Sequence, residues 1–239
     1  MRGVHGLAAH AGLDGLSGGV LGFRSQAMSG AKRRVAEVFM NAGASTFVVR
    51  ATGWHDILLY GPGGNGGSTP GASASGGGGG GASLKRAWLR AGELVDCVVA
   101  TAGATTTGAL TGRFSFSATS GAQGNTGYVS AGAGGIGSGG DINRRGGRGH
   151  GWTNPDSDLD TNDGDSVFAE WGEFGGTATP DGGSLGSGGG GAGFRDIIPT
   201  LAGTGGRNGF EGVAPGGGGY GATASHPGAD GAVVFIYSK

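Results

Sequence analysis

The chain has 239 residues, 63 of them glycine, with 16 basic and 17 acidic side chains that leave a net charge of −1. So even a balance supplies no long-range field to draw in nucleic acid or an anionic membrane. A single cysteine excludes an internal disulfide framework, and the longest apolar runs, ILLY and AVVFIY, are too short to cross a bilayer.

The opening stretch MRGVHGLAAHAGLDGL has no continuous apolar core, so no signal peptide is expected, and the chain reads as made and folded in a cytoplasm. Next, AKRRVAEVFMNA (31–42) predicts a short helix with Val35, Val38, Phe39 and Ala42 on one stripe. Lys32, Arg33 and Arg34 are read as its solvated first turn, with contact to an acidic partner as the alternative. TFVVRAT (46–52) and DILLYG (56–61) are segments ready to pack, and ILLY is apolar on both faces, as a covered central strand is. SLKRAWLR (83–90) is ambiguous, because Leu84, Ala87 and Trp88 also fit one face of a helix. In ELVDCVVA (93–100), Cys97 reads as a small buried hydrophobe. GRFSFSA (112–118) alternates Phe114 and Phe116 with arginine and serine, the pattern of a half-buried strand. AVVFIY (232–237) is again apolar on both faces.

Glycine fills the intervals. Gly61, Gly63 and Gly66 match the dinucleotide fingerprint G-x-G-x-x-G, but roughly four such matches arise by chance at this glycine frequency. The fingerprint also needs a helix at its third glycine, and STPGASASGGGGGG follows instead. GGSTPGAS has Ala72 where a P-loop needs lysine. Glycine threads in the polyproline-II region lack internal hydrogen bonds, and only the absence of Cβ atoms lets them bond one another laterally. The tracts GGGGGG (76–81), GSGGGGAG and APGGGG therefore predict a cooperative bundle clamped by strands. Four tryptophans argue against a disordered linker.

Two segments carry candidate sites. NPDSDLDTNDGDSVFAEWGEF (154–174) holds seven acids and no lysine or arginine. Asp156, Asp158 and Asp160 at alternate positions suit calcium, although the segment departs from an EF-hand at Gly164 and Val167. A solvated acidic loop, or a receptor-contacting loop beside Trp152 and Trp171, are the other readings. NRRGGRGHG (143–151) resembles an RNA-binding RGG box, but one copy in a near-neutral chain is thin support. Arg144, Arg145 and Arg148 are read as pairing with the acidic loop or contacting phosphates on a host surface. The histidines lie at no metal-ligand spacing, no nucleophile elbow or H-E-x-x-H occurs, and no enzyme is expected.

The succession TFVVRATGWHDILLYGPGGNGG, GGGGGGASLKRAWLRAGELVDCVVATAG, TGRFSFSATSGAQG, AGAGGIGSGGDINRRGGRGHG and GGGGYGATASHPGADGAVVFIYSK resembles the glycine-rich C-terminal domain of bacteriophage tail-fibre and tail-tip adhesins. The resemblance spans about residues 45–239, with residues 1–44 expected to be an arm that attaches the domain to the virion. It implies a mainly β and irregular fold with little α-helix, in which short strands clamp a bundle of polyglycine-II helices. It further implies a non-enzymatic virion protein binding a bacterial surface receptor, either an outer-membrane protein or a glycan. Trp152, Asp163, Asp165, Trp171, Phe174, Arg144, Arg145 and Arg148 are the expected contact residues. Other tail or fibre proteins are the expected partners, with the chain a homo-oligomer or the cap of an oligomeric fibre; nucleic acid is not. A head decoration or tail component that touches no receptor is the alternative. No cofactor is expected beyond calcium.

Overall fold

The computed structural model describes residues 21–23, 34–68, 74–126, 131–149, 191–194, 197, 212, 215–219, 221 and 225–238. Among them eleven strands occur and no helix: β1 Leu21–Phe23, β2 Arg34–Phe39, β3 Gly43–Val48, β4 Gly53–Tyr60, β5 Ala82–Leu89, β6 Leu94–Val99, β7 Thr105–Leu110, β8 Phe114–Thr119, β9 Gly137–Ser138, β10 Ile142–Arg144 and β11 Ala232–Ser238. They form two antiparallel sheets, a six-stranded one in the order β1-β2-β11-β4-β5-β10 and a five-stranded one in the order β3-β6-β7-β8-β9. The fold is mainly β, as the sequence predicts.

Side chains alternate across a strand, so the doubly apolar β4 and β11 feed two cores. Ile57, Leu59, Val233, Phe235 and Tyr237 face the five-stranded sheet and meet Phe47, Val95, Cys97, Val99 and Phe116. Phe47 stacks on Phe235 with centroids 3.8 Å apart, and Phe39 sets its edge against both rings. On the opposite face Leu58, Tyr60, Val234 and Ile236 join Val38 and Leu84, and are covered by Ala192 and Phe194. Fully burying each large side chain contributes about 1.5–3 kcal/mol. Central position requires residues apolar on both faces. That is why β4 and β11 sit there.

Where a helix is expected over 31–42, residues 34–39 form strand β2 instead. β2 pairs along its length with β11, from Phe39 opposite Val233 to Arg34 opposite Ser238. Val35 and Phe39 turn toward one core, and Val38 turns toward the other. An isolated helix of that length is marginal in water, whereas the strand gains a hydrogen-bonded ladder and two packed faces. Residue 44 falls inside β3, and β2 ahead of it pairs with β11. The ambiguous 83–90 segment resolves as strand β5.

The glycine tracts prolong the strands. β4 runs straight into 61–67, β5 follows 75–81, and β11 follows 226–231. The Gly61 amide donates to Gly81, Gly64 to Gly78 and Gly67 to Ser75, so the β4–β5 pairing continues with one bond every third residue. The same interval recurs where Gly63 and Gly66 donate to Ala229 and His226, and where Gly121 and Gly124 donate to Pro62 and Asn65. Tract 75–81 bonds outward in several directions: Gly78 and Gly81 donate to Ala122 and Thr119, while Gly77 and Gly80 donate to Gly219 and Gly216. A methyl group on Gly77, Gly78 or Gly80 would collide with the backbone oxygen of Gly64, Ala133 or Gly61. Side chains appear where a tract faces outward, as at Ala122, Gln123 and Ala133.

Gly80→Ala should therefore lower unfolding free energy by about 3 kcal/mol, since its obstacle is backbone that cannot swing aside and an amide bond is lost with it. Ala122→Gly, at an exposed tract position, should cost under about 1 kcal/mol. Urea midpoints measure both, and equal midpoints for the two variants would mean that close approach does not determine where glycine is required.

Candidate functional site

One exposed cluster stands on the outer end of the six-stranded sheet. Trp54 and Asp56 are two apart on β4, Arg86 and Trp88 two apart on β5, so each pair projects from one face. The register then sets Trp54 opposite Trp88 and Asp56 opposite Arg86. The indoles remain 61% and 48% exposed and meet edge to face with centroids 5.7 Å apart. Arg86 grips Asp56 through Nε at 2.5 Å and Nη2 at 2.9 Å, and Arg34 reaches the same carboxylate from β2 at 3.4 Å. The bond to Asp56 raises the Arg86 pKa further and keeps the guanidinium charged. Arg34, Trp54, Asp56 and Arg86 line a groove of about 420 Å³ together with Ile236, Tyr237 and Ser238.

Trp88 borders a second hollow of about 310 Å³ with Arg90, Glu93 and Arg113. Arg113 donates to both Glu93 oxygens and, through Nη2, to the Trp88 carbonyl. The backbone bond from Arg90, then Arg113, hold the Glu93 carboxyl below its ordinary pKa.

Beneath the groove, on the inner face, lies a buried polar chain. His55 stacks on Tyr237 at 5.0 Å, and the Tyr237 hydroxyl donates to Glu37, which Arg50 approaches at 3.2 Å. His55 Nδ1 lies 3.0 Å from the Gly53 carbonyl, so Nδ1 carries the proton, and Nε2 is buried with no partner among the described residues. Burial lowers the His55 pKa, with Gly53 opposing, and the ring is neutral. Burial first, and then Glu37, push Tyr237 up to about 12. Cys97, buried as expected, is pushed up to about 12 by desolvation and is not a nucleophile at neutral pH.

Of the residues expected from sequence, Trp152, Asp156, Asp158, Asp160, Asp163, Asp165, Trp171 and Phe174 lie outside the described residues. Arg144 turns inward: it is 8% exposed, donates to the Gly193 carbonyl and lies 4.4 Å over the Phe194 ring. It thereby pins segment 191–194 onto the second core. Arg145 and Arg148 are exposed. Among the described residues no group of three or more His, Cys, Asp or Glu side chains is placed to hold a metal ion. The amides of Gly61, Gly63 and Gly66 donate to neighbouring tracts.

Sequence reasoning missed the Trp54–Trp88 cluster. Its signal was present as W-x-D and R-x-W, the i, i+2 spacing of one strand face, but required 83–90 to be a strand and β4 to be its partner. No protein-family model and no curated protein matches the chain.

The neutral, enclosed imidazole makes a pH prediction. The folded pKa of His55 lies below the ordinary 6.5, so the unfolded chain binds the extra proton more readily. Stability is then complete above 6.5 and declines as pH falls below it. Urea unfolding between about pH 7.5 and about pH 5, above the range where carboxylates titrate, should show a falling midpoint that His55→Phe flattens. A midpoint unchanged across that interval in the native chain would refute it.

Proposed function

We propose that the protein is a bacteriophage tail-fibre or tail-tip adhesin, a non-enzymatic virion component that binds a receptor on the bacterial surface. The observation that carries this reading is the bonding interval of the glycine tracts. Bonds that recur every third residue, to neighbours in several directions, suit threads with three residues per turn. On this reading the tracts are polyglycine-II helices, bundled in the way the resemblance to tail adhesins implies. Such a bundle holds its surface groups and connecting loops stiffly, so little conformational entropy is lost when they meet a receptor. Many copies on one particle turn weak contacts into firm attachment.

Receptor contact falls to exposed aromatic and charged groups, because amphipathic aromatics and arginine are the usual anchors of interfaces. Arg145, Arg148 and the Trp54–Trp88 cluster belong to that set, and the aromatic and acidic residues of 152–174 are assigned to the same role from their sequence alone.

Purified protein should block adsorption of the phage that carries it, in proportion to concentration. If adsorption is untouched while the protein is still found in purified particles, a structural virion role replaces the adhesin. The bundle is tested separately: amide hydrogens of residues 76–81 should exchange at least about a hundredfold more slowly than in a free peptide. Exchange at the free-peptide rate would remove the stiff mount and the reading with it.

A further inference from the structure

The groove beside Trp54 has features that a stabilising cross-strand pair does not need. Aromatic pairs across a sheet contribute about 0.2–1 kcal/mol, and that contribution does not call for exposed rings. Here both indoles stay open to solvent, at 61% and 48%, next to a cluster whose parts differ sharply in accessibility. The Asp56 side chain is 7% exposed, while those of Arg34 and Arg86 are each 60% exposed. The carboxylate is thus an internal tether that orients two guanidinium groups, and those groups face outward.

A guanidinium carries five N–H donors. Arg86 spends two on Asp56 and Arg34 one, so both keep donors for a ligand. Two cations and one anion leave a local charge of one positive unit. A single carboxylate balances that charge and fits the planar arginine fork. A phosphate monoester, at nearly two negative units, overfills it and sits close to Asp56. Ile236, itself almost buried, lines part of the groove, and about 420 Å³ lies within the range of small-ligand sites. The exposed indole face has the negative quadrupole that attracts the weakly positive C–H face of a sugar ring.

We propose that this groove binds an acidic saccharide, a pyranose bearing a carboxylate. The ring stacks on Trp54 and the carboxylate is held by Arg34 and Arg86 over the Asp56 tether. A longer chain crossing Trp88 meets Arg90 and Arg113 in the second hollow. The proposal deepens the adhesin reading by naming the receptor chemistry, and rests on that reading for its biological setting.

The test titrates the full chain with tri-galacturonic acid and with tri-glucuronic acid, following tryptophan fluorescence and calorimetric heat. The methyl ester of each and galactose 6-phosphate serve as comparisons. At least one acid should bind, shift the tryptophan emission, and lose at least tenfold in affinity when esterified. Arg34→Gln and Trp54→Ala should each weaken binding at least tenfold, and Arg34→Gln should do so with an unchanged melting temperature. No response to either acid, equal binding of acid and ester, tighter binding of the sugar phosphate, or full affinity in Arg34→Gln would each overturn the proposal. The two readings separate in adsorption competition. If the native chain and both variants block adsorption equally, the adhesin stands and the groove fails. If the acid binds the groove but the chain blocks nothing, the groove stands and the adhesin fails.

Discussion

Peptide groups of adjacent glycine tracts reach one another only because no Cβ stands between them, and the remaining architecture hangs on that approach. Gly80 illustrates the constraint. Its amide donates to Gly216 while its Cα lies against the carbonyl of Gly61. Any other residue would separate two threads and leave amides and carbonyls buried without partners, at about 1–3 kcal/mol each. Fixing glycine is entropically the most costly choice for a backbone. One isolated tract would not hold, and mutual bonding among many makes the arrangement cooperative.

The sheets and the glycine region are one continuous hydrogen-bonded system. The β4–β5 ladder ends with Tyr60 opposite Ala82, and the next bond joins Gly61 to Gly81. The β11–β4 ladder ends with Ala232 opposite Tyr60, and Gly63 to Ala229 carries it on. The apolar sandwich thereby anchors the threads at one end, where Phe47, Phe235 and their neighbours exclude water. Arg144 ties a further stretch, 191–194, to the opposite face. At the far end of the same strands stands the Trp54–Trp88 groove, built on backbone that both layers restrain.

Legibility followed how local each signal was. The central place of β4 and β11 could be read from ILLY and AVVFIY, because an apolar residue at every position has no other use in a short strand. The alternation in β8 was equally plain: Phe116 is buried and its serine neighbours are not. The stretch 31–42 misled because Val35, Val38 and Phe39 satisfy a helical stripe as well as two faces of a strand. What decided it was β11, nearly 200 residues later, which no local pattern can announce. The lateral bonding of glycine was legible in kind, since the tracts had no other way to satisfy their amides, but the partners of each tract were not. Of the site, the aromatic and charged residues were visible in the sequence, and their convergence was not, because cross-strand register brings them together.

The place of β11 between β2 and β4 has a consequence for biosynthesis. Among the described residues β2 is joined to β4 only through residues 232–238, whereas β3 pairs directly with β6. Until that segment has been made, β2 has no neighbour on that side, and the backbone edge of β4 that β11 covers stays open. A chain cut short before residue 232 is therefore left with the facing edges of β2 and β4 unpaired, an open template for aggregation and proteolysis.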